Sequence, residues 1–283
     1  MPRLSVLMTA KDAAATIGEA VRSVVRALPA DAELIVLDDG SRDDTAVVAG
    51  TAGDARVRVL REELNVGYAR ARSALLSRSD SEFVAIMDAD DVCFPWRFRH
   101  QARALGSADL VTSPVVRFST PPLRLHPGIP YPIAERAMAL HLLIGCPLAH
   151  PTLMAKRSVV DALGGYREVV AEDYDLYLRA VTGGFRLART GVPCVAYRTH
   201  ARQASAQVDY PARMAADGTF QDAVDDFLRD EFGYVRPAGE RGVPGRFAPW
   251  ERIDAILRRE VRARGLGFTQ RHLLRRYRVR ALP

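Results

Sequence analysis

Cysteine and lysine are both scarce in this 283-residue chain. Cys93, Cys146 and Cys194 are too few and too scattered for a disulfide framework or a CxxC zinc site. All three are expected to be small buried apolar residues in a reducing compartment. Lys11 and Lys156 are the only lysines among 40 basic residues. A GC-rich genome explains that choice more simply than an arginine-specific chemistry. Long apolar runs are missing too. The longest candidate, 137–149, contains His141 and Pro147, so no membrane span is expected. The N-terminal apolar run is broken by Lys11 and Asp12 and reads as a strand, not as a signal peptide.

Several signature loops are absent. There is neither a GxGxxG after a strand nor a GxxxxGK[ST], which argues against dinucleotide-binding proteins and P-loop NTPases. There is no GxSxG elbow, which argues against a serine hydrolase. Any phosphate would then be held by a metal and not by a helix N-terminus.

What remains is ordinary for a globular chain: 48% apolar and 26% charged residues, enough for one large domain or two modest ones. The net charge of +6 is uneven. Residues 241–283 carry twelve arginines against Glu251, Asp254 and Glu260, so the tail holds all of the basicity and the rest is mildly acidic.

Apolar runs at 4–8, 33–37, 57–60 and 83–87 suit buried parallel strands. Helical spacing at 16–28, 44–52 and 68–76 fills the intervals, with Pro29 as a stop. This alternation predicts an α/β fold with a doubly wound, mostly parallel sheet flanked by helices. Ligands of such sheets sit beyond the carboxyl ends of the strands. Residues 105–145 are Pro-rich and read as irregular connecting structure. A helix is expected within 153–163, another over 172–182 and a late strand over 192–197. Residues 205–283 read as a helical appendage, with Trp250, Ile253, Ile256, Leu257 and Val261 on one apolar face and Leu273, Leu274 and Tyr277 on another.

Two strands end in acids. Asp88-Ala89-Asp90-Asp91 crowds carboxylates that repel one another unless a cation lies among them, and hard divalent cations take such oxygens together with substrate phosphates. The alternative is an acidic helix N-terminus ahead of Pro95-Trp96. Asp38-Asp39-Gly40-Ser41 can accept from a base or a ribose, or can simply form a turn and cap the next helix. Glu172-Asp173 can supply a general base, or can be two acids in a first helical turn. His200 can ligate metal or bind phosphate, or be a packed surface residue. Arg70 and Arg72 can touch phosphate, hold an acidic loop, or be a solvated helix face.

The ordered series of segments resembles the family 2 glycosyltransferases. It comprises Ser5-Val-Leu-Met-Thr-Ala10, Glu33-Leu-Ile-Val-Leu-Asp-Asp-Gly-Ser41, Asn65-Val-Gly-Tyr-Ala-Arg-Ala-Arg72 and Phe83-Val-Ala-Ile-Met-Asp-Ala-Asp-Asp91. Further on come His150-Pro-Thr-Leu-Met154, Gly164-Gly-Tyr166, Glu172-Asp-Tyr-Asp-Leu-Tyr-Leu-Arg179 and Tyr197-Arg-Thr-His200. The match covers roughly residues 3–103 and 145–205.

The resemblance implies a GT-A-type fold and an inverting transfer of one sugar from a nucleotide sugar, UDP-linked by preference, with Mg²⁺ or Mn²⁺. Thr9, Ala10, Asp38, Asp39, Arg72, Asp88 and Ala89 would bind the nucleotide sugar. Asp90, Asp88 and His200 would hold metal. Asp173, beside Glu172, would be the catalytic base. It also implies a catalytic domain over 1–204, with a donor-binding half (1–104) and an acceptor and base half (105–204), followed by the basic appendage 205–283. The processive members' QxxRW motif is absent, and Lys11-Asp12 replaces the family's usual early Asn.

The acceptor is expected to be a saccharide or a lipid-linked saccharide. The matching location is cytoplasmic, peripheral at the inner face of the plasma membrane through contact of 265–283 with anionic lipid. Nucleic acid is a less favoured partner for the same tail. A metal-dependent nucleotidyltransferase is a further alternative.

Overall fold

The structure, a computed structural model, describes residues 2–51, 53–119, 123–127, 130–200, 203, 208–237, 239–242, 250–267, 270–272 and 274. The chain forms two compact units. The first comprises Met1–Pro132, Leu148–Glu168 and Arg189–His200, and the second Ile133–Pro147, Val169–Ala188 and Ala201–Pro283. Both are discontinuous in sequence.

The first unit is built on four parallel strands, β1 (Leu4–Ala10), β2 (Ala32–Asp39), β3 (Val57–Glu62) and β4 (Phe83–Asp88), in the spatial order β4-β1-β2-β3. β2 is buried along its whole length and β1 almost so, which explains runs without polar alternation. The crossovers are α1 (Ile17–Ala27), α2 (Thr45–Gly50) and α3 (Tyr68–Ser77). α1 turns Ile17, Ala20, Val21 and Val24 inward and stops where Leu28, preceding Pro29, becomes extended. Ala10 lies opposite Asp38, and Thr9 opposite Asp88. The carboxyl ends of β1, β2 and β4 are therefore level, and the segments leaving them emerge along one edge.

β5 (Val92–Cys93) and α4 (Arg97–Ala104) follow. Arg97 is fully buried under β4 and donates to the Ile86 carbonyl (2.6 Å) and to Gln101 Oε1 (3.0 Å). Residues 105–145, expected to be irregular, hold regular structure. They contain β6 (Leu110–Thr112), the hairpin of β7 (Val115–Ser119) and β8 (Arg124–Pro127), and in the second unit α5 (Glu135–Ile144). Short strands that pair at distant positions leave no periodicity to read.

The segment expected as helix within 153–163 is first a strand, β9 (Met154–Lys156), and only then α6 (Arg157–Ala162). β9 runs antiparallel between β4 and β6. The chain rejoins the first unit at Arg189, the last residue of β10 (Leu187–Arg189), and the sheet order is β10-β6-β9-β4-β1-β2-β3. β11 (Val195–Arg198) begins three residues later than expected. It pairs antiparallel with β5 and parallel with β7 in a second sheet, β5-β11-β7-β8.

In the second unit α7 (Glu172–Thr182) packs against α5 and α9 (Gly218–Phe232), and α10 (Trp250–Ala263) packs against α5. α8 (Tyr210–Ala216) precedes α9. Asp217 caps α9 by accepting from the Phe220 amide, and its other oxygen accepts from the Val170 amide. Among the described residues of 205–283 the expected helices are α8, α9 and α10. Part of its positive charge is paired, Arg258 with Asp254 and Arg264 with Glu260 and Glu231. Leu273, Arg275, Arg276, Tyr277, Arg278 and Arg280 lie outside the described residues. No helix among the described residues is long and apolar enough to cross a membrane. Cys93 and Cys194 are buried as expected, but Cys146, just past the C-terminus of α5, is exposed.

Candidate functional site

The level strand ends create an open cleft of about 110 Å³ lined by Thr9, Ala10, Lys11, Asp39, Asn65, Gly67 and Tyr68. Asp39 organises its far wall. Its Oδ1 accepts from the Val66 amide (2.7 Å) and its Oδ2 from the Gly67 amide (3.0 Å). Such charge-assisted bonds fix the 64–67 loop over the strand ends. Gly40 makes the close approach possible. Its φ is +68°, and a Cβ there would stand 2.7 Å from the Asn65 nitrogen.

Asp38, expected beside Asp39 at the nucleotide, is placed differently. It is fully buried, and its Oδ1 accepts from the Ser41 amide at 3.0 Å. Its Oδ2 lies 3.7 Å from Arg61 Nε. It closes the turn after β2 and does not line the cleft. Asp12, in the left-handed region at φ +47°, donates its amide to Ser41 Oγ and accepts from the Arg42 amide. The Lys11-Asp12 departure thus ties the loops after β1 and β2 together.

Beyond β4, Asp88, Asp90 and Asp91 each present a carboxylate oxygen within 4.8 Å of the others. Asp91 is buried, and its Oδ1 accepts from the Arg198 amide at 2.8 Å. Its Oδ2 is buried with no hydrogen-bond partner among the described residues. Burial, then the charges of Asp88 and Asp90, hold the Asp91 carboxyl well above its ordinary range. Three hard oxygen donors in mutual repulsion, one buried and unsatisfied, fit a divalent cation. The alternative of a helix N-terminus fails, because β5 intervenes and α4 starts only at Arg97.

β11 closes this loop from the other end of the sequence. Arg198 Nε donates to the Asp90 carbonyl at 2.8 Å, its Nη2 reaches Glu19 at 2.7 Å, and its guanidinium lies over the Phe118 ring. His200 Nε2 stands 2.8 Å from Asp90 Oδ2. Ala89, between the acids, is buried.

Arg72 is buried on α3, its Nη2 3.7 Å from Asp88 Oδ1 and its guanidinium over the rings of Tyr68 and Tyr166. Arg70, by contrast, pairs with Glu168 on the surface at 2.8 Å. The first unit thus gathers Thr9, Ala10, Asp39, Arg72, Asp88, Asp90 and His200.

Glu172 and Asp173 lie in the second unit, in the first turn of α7, both partly exposed. Asp173 Oδ1 accepts from the Tyr174 amide at 2.7 Å. Burial raises the phenol pKa of both Tyr174 and Tyr210. The Asp173 and Cys146 charges add to the rise at both phenols, and Glu172 adds to it at Tyr210. Tyr174 Oη also donates to the Leu142 carbonyl. The acidic pair therefore shares its surroundings with two tyrosines and the exposed Cys146.

Sequence reasoning gave Asp91 a place in the acidic cluster but no role of its own, and gave none to Arg198, Lys11 or Asn65. The third acid of a cluster behind an apolar strand was a usable signal for Asp91. The Tyr197-Arg-Thr-His200 segment was one for Arg198.

The family model described as "Glycosyl transferase family 2" matches residues 5–164. The succinoglycan biosynthesis protein ExoU of Rhizobium meliloti (strain 1021) is 33% identical over 198 residues, covering 64% of this chain and 57% of ExoU. The Escherichia coli protein WfaP, named as a UDP-Glc:alpha-D-GlcNAc-diphosphoundecaprenol beta-1,3-glucosyltransferase, is 25% identical over 219 residues, 73% of this chain and 81% of WfaP. Among solved structures, S. aureus TarS 1-349 in complex with UDP-GlcNAc superposes with a TM-score of 0.61 at 18% identity, over 84% of this chain and 75% of that one. The likeness to TarS establishes a GT-A-type α/β fold.

Proposed function

The chain belongs to glycosyl transferase family 2, and from that premise we propose that it moves one sugar from a nucleoside-diphosphate donor to an acceptor hydroxyl, inverting the anomeric carbon. The carrying observation is that Thr9, which lines the cleft around Asp39, lies opposite Asp88 in the sheet, and that Asp88, Asp90 and Asp91 bring their ligand atoms within 4.8 Å of one another. UDP is the favoured nucleotide, supported by the UDP-GlcNAc bound to TarS and the UDP-Glc in the name of WfaP.

Asp88 and Asp90, with His200, would hold Mg²⁺ or Mn²⁺, which when bound offsets the diphosphate charge and improves the leaving group. Thr9 and Ala10 line the nucleotide side. Asp39 keeps lone pairs beyond those given to Val66 and Gly67, and they accept from base or ribose. Arg72 offers positive charge beside Asp88. Asp173, with Glu172 beside it, takes the proton from the attacking hydroxyl. A single displacement needs one base and no covalent intermediate.

The acceptor in this reading is a saccharide of an exopolysaccharide or cell-wall pathway, carried on a lipid diphosphate. The acceptor in the name of WfaP supports that class. The division into a donor half (1–104), an acceptor half (105–204) and a basic appendage (205–283) belongs to the same reading, as does contact of 265–283 with anionic membrane.

A screen of nucleotide sugars for nucleotide release, with Mn²⁺, Mg²⁺ or a chelator, tests it. Release from a UDP-sugar that the chelator abolishes is the expected result. Metal-independent release, or preference for a nucleoside triphosphate, overturns it.

A further inference from the structure

Two segments singled out in the sequence, His150-Pro-Thr-Leu-Met154 and Gly164-Gly-Tyr166, have no part in the transfer reading. The structure joins them. His150 Nε2 lies 3.0 Å from Tyr166 Oη, and the two rings meet edge to face at 89° with centroids 5.5 Å apart. Tyr166 in turn lies under the Arg72 guanidinium at 5.7 Å. Arg72 faces Asp88. All four residues are in the first unit.

Each link is built into the frame. His150 opens a short 3-10 turn whose Thr152 receives the Ser113 amide on its hydroxyl and Gln101 Nε2 on its carbonyl. Gly164 and Gly165 sit at φ +71° and +69° and swing the chain so that Tyr166 turns inward. Tyr166 and His150 are buried, whereas Tyr68, on the other contact of Arg72, is 57% exposed. Burial and the Arg72 charge keep the His150 ring neutral. A charged ring would repel the guanidinium it helps to place.

We infer that Tyr166, braced by His150, is a positioning residue that holds the Arg72 guanidinium at Asp88, where the donor diphosphate binds. The inference rests on the donor-site reading above. A buried guanidinium on a flexible stem needs a fixed partner to be preorganised, and an aromatic face in a dry setting provides one. Arg72 then meets the diphosphate without first being ordered, which raises affinity by lowering the ordering cost.

A double-mutant cycle on the full chain tests this, with binding of UDP plus Mn²⁺ followed by calorimetry for wild type, Arg72→Met, Tyr166→Leu and the double variant. Tyr166→Leu is expected to weaken UDP by about ten-fold, a dry cation–π contact's worth. Arg72→Met weakens it at least as much. The double variant is no weaker than Arg72→Met alone, because nothing is left to position. Additive losses, or wild-type affinity in Tyr166→Leu, overturn the inference. Wild-type affinity in Arg72→Met overturns the donor-site reading itself. If Tyr166→Leu fails to fold, Tyr166→Phe keeps the ring and loses only the bond to His150. A loss of about three-fold, absent in the Arg72→Met background, supports the brace, and no loss overturns it.

Discussion

His200 Nε2 stands 2.8 Å from Asp90 Oδ2, across 110 residues of sequence. The histidine thus belongs to the acidic loop although it follows the last strand of the second sheet. In the proposed donor site the two side chains would share the bound cation. Asp90→Asn is expected to lower metal-dependent nucleotide release on the order of 100-fold, and His200→Ala by about ten-fold. Mn²⁺ titration of nucleotide release measures both, and unchanged metal dependence in Asp90→Asn removes that residue from the site.

Asp173→Asn separates binding from chemistry. Loss of a general base costs about 10²- to 10⁴-fold in turnover. UDP affinity should stay at the wild-type value, since donor contacts are assigned to the first unit. Wild-type turnover in this variant would exclude Asp173 as the base.

Gly40→Ala should be costly for its size. The added methyl meets backbone at Asn65 and Leu64, neither of which can rotate away, at a residue with φ +68°. A destabilisation of about 2 kcal/mol or more is expected from strain and overlap together. The loop held by Asp39 must shift, so the donor KM should rise as well. Urea denaturation and donor titration read the two effects separately.

Stability should fall in mild acid through His150. Burial, then the nearby Arg72 charge, depress its pKa well below 6.5 in the folded state. The unfolded chain, with an ordinary histidine near 6.5, binds a proton that the native state refuses. The contribution is complete above about pH 6.5 and is lost as pH falls from there toward the native pKa. Denaturation midpoints at pH 5 and pH 7.5 should differ less in His150→Gln than in wild type.

The strands that carry the site were legible because they are buried on both faces and end abruptly in acids. What could not be read has a physical reason at each place. Asp38 and Asp39 are adjacent on one strand, so their side chains point to opposite faces. Only the fold shows that Asp39 meets the cleft and Asp38 the turn. β9 has three residues and takes its direction from pairing with β4 and β6, which no local pattern encodes. Nothing in the sequence marks Arg97 for burial, because arginine is seldom fully buried, yet it is closed off beneath β4. Cys146 reads as a buried apolar residue, yet it follows the Gly145 at which α5 ends and is exposed.

The tie between Arg198 and the Asp90-Asp91 segment also bears on how the protein is made. A ribosome that has released the first four strands has produced the strand-end aspartates but not the arginine that fastens them. Domains fold progressively as they emerge, and contacts distant in sequence form last. Maturation of the acidic loop is therefore a late event in synthesis, and a nascent chain stalled before residue 195 would carry the aspartates unfastened.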